Sequence, residues 1–430
     1  MKSRIIQIFL VFQVVLLLLF TSTVYAVPSY PASANPADSI LQPPDVGAPS
    51  AILIESGRGQ VLFQKEAKQS LHISAANKIM TALVVIEKEK EKLDSKVTIS
   101  KESVETEGSA LNLEVGEKYT VEDLLCAVML RSANDAAYAL AEYVGGDISR
   151  FVTFMNDKAA ELNLKDTHFS NPTGLYDETQ YTTAYDIAGL IKYAINIPAF
   201  DRIFSSKARP WSGGDGITKI ITNQNDLFWI YDGVDGGKTG FNNENQHTSI
   251  TTATKNNHRL ICVVLDSPKD SVLSDSTNIL DFGFNNFRTG ILVKKGEALN
   301  NIIVDGKQVN LVSQNDVYYT FPIGENYIKN YEVNITKELV PPIKKSLSAG
   351  IARYVLNDNT VIDINLYPDV DIYPPSNFFS SAKSKVAENK NIFILVAFLL
   401  LIEIILVINS LIRLVKKKFR KYHNVSKQKR

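Results

Sequence analysis

Residues 130–137 read Leu-Arg-Ser-Ala-Asn-Asp-Ala-Ala, and they contain a Ser-x-Asn motif at Ser132 and Asn134. Thr120 and Asp123 stand ahead of this stretch at the spacing of a helix-capping pair, which predicts a helix before the motif. A Ser-x-Asn motif occurs often by chance, so its meaning depends on the other motifs of the chain.

Two further motifs stand on either side of this stretch in the chain. Lys78 precedes residues 79–86, a mostly apolar run that predicts a buried helix. Much later, Lys238, Thr239 and Gly240 form a Lys-Thr-Gly motif. The order of the three motifs, with their helix and strand context, is far more specific than any one of them.

This arrangement resembles the active-site serine penicillin-binding proteins and β-lactamases, which use Ser-x-x-Lys, Ser-x-Asn and Lys-Thr-Gly. The flanking stretches are similar to those of low-molecular-weight penicillin-binding proteins, the serine-type D-alanyl-D-alanine carboxypeptidases, at residues 78–82, 130–137, 171–175 and 183–186. The resemblance covers residues 48–290 strongly. It implies an α/β, β-lactamase-like serine hydrolase domain, and the short apolar runs after it predict a small all-β domain.

The ends of the chain predict export and anchoring. A basic start, an apolar run at residues 5–20 and small residues around Ala26 are typical of a cleaved signal peptide, with an uncleaved anchor as the alternative. A second apolar run at residues 392–412 is long enough to span a bilayer, and a basic tail follows it. By the positive-inside rule, we expect a single-pass membrane protein with an extracellular body and a cytoplasmic tail.

These features divide the chain into predicted segments: a signal peptide (1–26), a flexible leader (27–46), a carboxypeptidase-like domain (47–289), a small β-domain (290–373), a linker (374–391), a transmembrane helix (392–412) and a basic tail (413–430).

Composition argues against several other classes of function. The 46 Lys and Arg residues balance 46 Asp and Glu residues, so net charge gives no case for a nucleic-acid partner. Cys126 and Cys262 lie in apolar runs, which favours two buried thiols, although an exported protein could form a disulfide. Neither cysteine has neighbours at metal-ligand spacing, so we expect no metal, and the family resemblance implies no cofactor.

The family resemblance also implies roles for the motif residues. The lysine of the first motif would act as base, the serine of the second would pass a proton to the leaving group, and its asparagine would hold the substrate amide. The third motif would bind the terminal carboxylate of an extended peptide. These roles fall on catalytic candidates Lys78, Ser132 and Asn134 and on substrate-binding candidates Lys238, Thr239 and Gly240.

The nucleophile position departs from the family pattern. Three residues before Lys78 the chain has Ala75, where the family has the serine that attacks the substrate. Ser74, four residues before Lys78, also shares a helix face with it and is a possible substitute. Alternatively, Ser74 only caps the helix, because serine is a favoured N-cap residue.

Two hypotheses about function therefore stay open. The resemblance implies peptidoglycan stem peptides ending in D-Ala-D-Ala as the partner, and β-lactams as candidate ligands. In the first hypothesis the protein is an impaired carboxypeptidase of cell-wall biogenesis. In the second it is a non-catalytic peptidoglycan-binding or regulatory pseudoenzyme, because alanine offers no nucleophile for an acyl-enzyme.

Overall fold

The structure is a computed structural model, and it describes residues 42–373 except 73, 91, 214–216, 242–245, 305–306, 325–326, 337–338 and 340, together with isolated helical positions 398, 401, 405, 408, 412 and 416. The predicted signal peptide, most of the leader, the linker and nearly all of the predicted transmembrane helix and tail lie outside the described residues. Among the described helices, none has the length and apolar character needed to span a bilayer. The described residues divide into two compact units, one of the residues up to 290 with 319–327 and one of residues 291–318 with those from 328 onwards.

The first unit is built on a five-stranded antiparallel sheet with the order β2-β1-β9-β8-β7. Its strands are β1 (Ser50–Glu55), β2 (Val61–Lys65), β7 (Val234–Phe241), β8 (Gln246–Lys255) and β9 (His258–Pro268). Asn256 and Asn257, with φ of 51° and 60°, join β8 to β9 in the left-handed conformation that tight hairpins use. The turn-forming stretches Ser-Gly-Arg-Gly at residues 56–59 and Lys-Asn-Asn-His at residues 255–258 predict hairpins from the sequence, and both hairpins are present as β1–β2 and β8–β9.

Helices cover both faces of this sheet. They are α1 (Ser74–Glu89), α2 (Lys101–Val104), α3 (Val121–Arg131), α4 (Asn134–Gly145), α5 (Ile148–Glu161), α6 (Ala184–Ala194), α7 (Pro198–Phe204), α8 (Leu227–Ile230) and α9 (Val272–Asn286). Because neighbouring strand residues point to opposite faces, Ile52 joins the core under α1, whereas Leu53 joins the core under α9.

Two local expectations are borne out in this unit. Thr120 and Asp123 form the predicted capping box, since the backbone N–H of each donates to the side chain of the other, at 3.0 and 3.2 Å. Cys126 and Cys262 are free and buried, and they belong to the cores on opposite faces of the sheet. They are therefore core thiols rather than a disulfide. Two short hairpins complete the unit: β3 (Lys96–Thr98) with β4 (Lys118–Thr120), and β5 (Ala208–Ser212) with β6 (Thr218–Thr222).

The described elements of residues 287–373 are all strands; residues 287–290 and 319–322 of this stretch belong to the first unit and the other strand residues to the second. A five-stranded sheet has the order β11-β12-β16-β15-β14, and β10 pairs with β13. The strands are β10 (Phe287–Val293), β11 (Ala298–Val304), β12 (Lys307–Val312), β13 (Val317–Pro322), β14 (Ile328–Ile335), β15 (Gly350–Leu356) and β16 (Val361–Pro368). An α/β domain followed by an all-β domain is therefore confirmed.

Candidate active site

The first motif anchors a loop to helix α1. Asn77 donates to the carbonyl oxygen of Asn171 at 2.7 Å, and Thr81 donates to that of Pro172 at 2.8 Å. The Lys78 Nζ donates to the next carbonyl oxygen, that of Thr173. Three side chains of one helix thus donate hydrogen bonds to three consecutive carbonyl groups, which gives each of these backbone acceptors a partner.

Ala75 lies one turn before Lys78, at the position where the family pattern has its serine, and only 2% of its surface is exposed. Burial lowers the pKa of Lys78 from 10.5 to about 7, so a large share of this amine is neutral near neutral pH. Lys78 can therefore accept a proton, but the side chain of Ala75, one turn earlier, is a methyl group with no proton to donate. Ser74 is the first residue of α1 and its side chain lies outside the described part of the structure, so its cap and nucleophile roles both stay predictions.

We expect Lys78→Met to stabilise the protein most strongly at and below pH 7. Because the pKa of Lys78 is lower in the folded protein, the unfolded chain binds more protons between about pH 7 and 10.5, and wild-type stability rises with pH across that window. Methionine removes the free-energy cost of burying an ionisable amine, but it leaves the Thr173 carbonyl without its hydrogen-bond donor. Thermal unfolding at pH 6 should show a net gain of about 3–8 °C in Tm, shrinking towards pH 10.

Thr81→Val is the matched control for this experiment. It removes the neighbouring hydrogen bond, from Thr81 to the carbonyl of Pro172, without changing charge, so its effect on Tm should not vary with pH. A Tm difference between wild type and Lys78→Met that is the same at pH 6 and pH 10 would contradict a buried amine with a depressed pKa.

The second motif connects directly to the third. Ser132 ends α3 in the left-handed conformation, with φ 56° and ψ 30°, which costs a residue other than glycine about 1–2 kcal/mol. Its Oγ accepts a 2.5 Å hydrogen bond from Nζ of Lys238. The strained turn therefore places the hydroxyl against the third motif, and strain of this kind is often found at functional sites.

The third motif lies on β7, which forms one end of the sheet in the described part of the chain. Lys238 is 1% exposed, and its pKa is lowered well below the ordinary value by burial and, secondarily, by the positive charge of Lys78. Thr239 and Gly240 are partly exposed next to it. The side of β7 without a neighbouring strand in the described sheet can therefore receive an extended peptide, and Lys238 lies on this same strand.

Close packing behind β7 explains a glycine that precedes the motif. A Cβ on Gly237 would lie 2.2 Å from Nδ2 of Asn225, which itself donates to Thr251 at 2.8 Å. Asn223 donates to the carbonyl of Gly237 at 3.1 Å. Two buried asparagines thus fix the strand from behind, and a larger residue at position 237 would displace it.

The structure brings the three motifs into one electrostatic cluster. Lys238 bonds to Ser132, and the charge of Lys78 acts on Lys238.

The sequence did not identify the Thr173 carbonyl as the partner of Lys78, nor the anchoring role of Asn77. The only indication in the sequence was that residues 171–175 resemble a stretch of the family, and that resemblance gave the stretch no role. Within the described residues, no three His, Cys, Asp or Glu side chains are grouped so as to hold a metal ion.

Comparison with known proteins yields consistent matches. The family described as D-alanyl-D-alanine carboxypeptidase matches residues 37–269, and the C-terminal domain of penicillin-binding protein 5 matches residues 287–373. D-alanyl-D-alanine carboxypeptidase DacF of Bacillus subtilis is 35% identical over 70% of this chain and 80% of its own length. DacC of Escherichia coli is 32% identical over 76% and 85%. Among solved structures, penicillin-binding protein 5 of Haemophilus influenzae has a TM-score of 0.67 at 28% identity, covering 77% of this chain and 99% of that one.

Proposed function

The chain belongs to the D-alanyl-D-alanine carboxypeptidase family, and on that basis we propose that it binds peptidoglycan stem peptides ending in D-Ala-D-Ala without cleaving them. One observation carries the proposal. Ala75 is buried at the nucleophile position, whereas the hydrogen bond from Lys238 to Ser132 and the edge position of β7 in the sheet of the described residues are kept. The groups that would hold a peptide are thus retained, and the group that would cut it is absent.

Peptide binding would use the side chains of the second and third motifs. The terminal carboxylate would meet Lys238 and Thr239, and a charge-assisted hydrogen bond is the strong kind. The peptide backbone would pair with the free side of β7, as extended ligands do at sheet edges. Asn134 has a buried Oδ1 without a partner among the described residues, and this oxygen can accept an N–H group of the ligand.

One observation favours a second candidate, a weak carboxypeptidase that uses Ser74. Lys78 keeps a pKa of about 7, which suits a general base at neutral pH. In this alternative the Ser74 hydroxyl would attack the carbonyl carbon of the terminal peptide bond and give its proton to Lys78. The C–N bond would break as the proton passes to the amine of the departing D-alanine, and water would then hydrolyse the ester on Ser74. A one-residue shift on a helix turns the side chain by about 100°, which a preorganised site absorbs poorly. Binding without cleavage is therefore the function we favour.

The direct test combines titration calorimetry with an assay for released D-alanine, using a peptide ending in D-Ala-D-Ala. The proposal expects saturable, reversible binding and no D-alanine above the background of peptide alone. Sustained release of D-alanine would favour the Ser74 alternative, and no binding at all would remove the proposed function. β-Lactams, which have a carboxylate and a carbonyl group, are candidate competitors in the same titration.

We also propose that the body lies outside the cell and is anchored by residues 392–412, with the tail inside. The support is the apolar run and the basic residues after it in the sequence. Protease added to intact protoplasts should degrade the body and spare an epitope placed at the C-terminus. Protection of the body until the membrane is opened would overturn this topology.

A further inference from the structure

Two backbone bridges bring several aromatic side chains together on the surface of the first unit. Leu71 and Thr182 form an antiparallel bridge with two hydrogen bonds of 2.9 Å, and His168 and Tyr181 form a second one, at 2.8 and 3.1 Å. In this register His72 lies opposite Tyr181, and residues that lie opposite each other point to the same face. His72, Tyr181 and His168 therefore share one face of three adjoining segments.

The face that carries these rings is turned to solvent. Thr182, which belongs to the opposite face, is 3% exposed, whereas Tyr181 is 40% exposed and His72 is exposed as well. Tyr176 is 67% exposed, and its ring centre lies 5.2 Å from that of His72. The ring centres of His168 and Tyr181 are 6.1 Å apart. We call these four rings, His72, His168, Tyr176 and Tyr181, the aromatic row.

The aromatic row adjoins the candidate active site. Tyr176 follows Thr173, the carbonyl partner of the first motif's lysine, by three positions, so their Cα atoms lie at most about 11 Å apart. Leu175, between them, extends towards the second motif: a Cβ on Gly108 would lie 3.5 Å from Cδ2 of Leu175 and 2.7 Å from Nδ2 of Asn134. The loop that carries Tyr176 therefore lies next to two of the three motifs.

The chemistry of the aromatic row suits an uncharged ligand that has hydroxyl groups. Tyrosine and histidine rings combine an apolar body with a polar edge. Asp177 and Glu178 directly follow Tyr176, and their carboxylates disfavour the phosphates of nucleic acids and anionic lipids. A sugar ring fits both observations, because its C–H bonds pack on the electron-rich face of an aromatic ring and its hydroxyl groups bond to polar atoms at the edge.

We propose that the aromatic row binds the uncharged sugar chain to which peptidoglycan stem peptides are attached. The inference rests on the proposed function for its choice of polymer, since the peptide and the sugar chain belong to one molecule. Neighbouring strands lie about 4.8 Å apart, so His72 and His168 lie about 10 Å apart on either side of Tyr181 and offer several rings in succession to a chain of sugars. The protein then holds the polymer at two places, by the peptide end at β7 and by the sugar chain at the aromatic row.

The test is titration calorimetry on the full-length protein, kept in a detergent without a sugar headgroup. The probe is chitotetraose, the β-linked tetramer of N-acetylglucosamine, which carries no peptide. Wild type should bind it saturably. Tyr176→Ala and Tyr181→Ala should each weaken binding about threefold to tenfold, the range of one aromatic contact. Tyr176→Phe keeps the ring and should stay within about twofold of wild type.

Tyr143→Ala is the matched control, because Tyr143 is also 40% exposed but lies on α4, outside the aromatic row. This variant should bind chitotetraose as wild type does. An equal loss of affinity in Tyr143→Ala and Tyr181→Ala would overturn the assignment to the aromatic row. A proline-rich peptide is the other ligand that exposed aromatic rings recognise. If wild type binds such a peptide but not chitotetraose, the inference is wrong.

A parallel titration with the peptide ending in D-Ala-D-Ala separates this inference from the proposed function. Binding of the peptide without binding of chitotetraose would overturn the inference alone. Binding of chitotetraose without binding of the peptide would overturn the proposed function and leave the aromatic row as a sugar-binding surface.

Discussion

Ala75→Ser is expected to turn a protein that penicillin does not label into one that it labels covalently. The substitution returns a hydroxyl to the helix face of Lys78, one turn before it, and burial keeps the pKa of that lysine at about 7. The serine oxygen would attack the β-lactam carbonyl and its proton would pass to the lysine. The ring C–N bond would then break, and the nitrogen would take a proton. Loss of such a nucleophile typically costs several orders of magnitude in rate, so its return should be visible on a gel.

The labelling experiment compares wild type, Ala75→Ser and Ser74→Ala with a fluorescent penicillin. We expect a band only for Ala75→Ser. Two departures from the family pattern could reduce the gain: Ile73 stands where the family has proline, and Asn77, where it has threonine, binds the loop at Asn171. Strong wild-type labelling that vanishes in Ser74→Ala would show that the nucleophile has moved by one residue. Labelling in none of the three proteins would show that more than the nucleophile has been lost.

Lys238→Ala is expected to weaken binding of a peptide ending in D-Ala-D-Ala by roughly 1.5–3 kcal/mol, or about 10- to 150-fold in Kd. The reason is the loss of a charge-assisted contact to the terminal carboxylate. Because burial lowers the pKa of Lys238 and a bound carboxylate favours its charged form, wild-type binding should also take up protons. Calorimetry in buffers with different ionisation enthalpies measures both quantities.

Two controls separate charge from shape in this titration. Lys238→Met keeps most of the buried side chain and should lose affinity nearly as much as Lys238→Ala. Lys255→Ala removes a lysine at the hairpin end of β8, where its Nζ lies 4.2 Å from the centre of the Tyr231 ring, and should bind like wild type. An unchanged Kd and proton uptake in Lys238→Met would count against a carboxylate site at this lysine.

The sequence predicted the features that depend on local pattern. The capping box at Thr120 and the hairpin at residues 255–258 each lie within a few residues, and turn chemistry or helix capping determines them. The family resemblance brought the three motifs together, although they are far apart in the chain. Lys238 and Ser132, separated by 106 positions, do meet as that resemblance implies.

The features that the sequence did not predict arise from contacts that leave no local pattern in the sequence. The Thr173 carbonyl that accepts from Lys78 is 95 positions away, and a backbone carbonyl leaves no signature in the sequence. The left-handed conformation of Ser132 is equally unsignalled, because glycine or asparagine is the residue that normally indicates it. The depressed pKa of Lys78 follows from burial on all sides, which only the assembled helices create.

The open side of β7 has a consequence for solubility. A strand kept free for a peptide offers the same unpaired backbone groups to a second copy of the chain, which is how sheet edges lead to aggregation. Glycine fills three of the five positions from Gly236 to Gly240, and glycine is among the residues that form strands least readily. Peptide binding depends largely on side chains around the groove, whereas pairing with another copy of the chain would depend on the backbone of β7 alone. The glycine-rich edge thus disfavours self-pairing while it leaves peptide recognition to the surrounding walls.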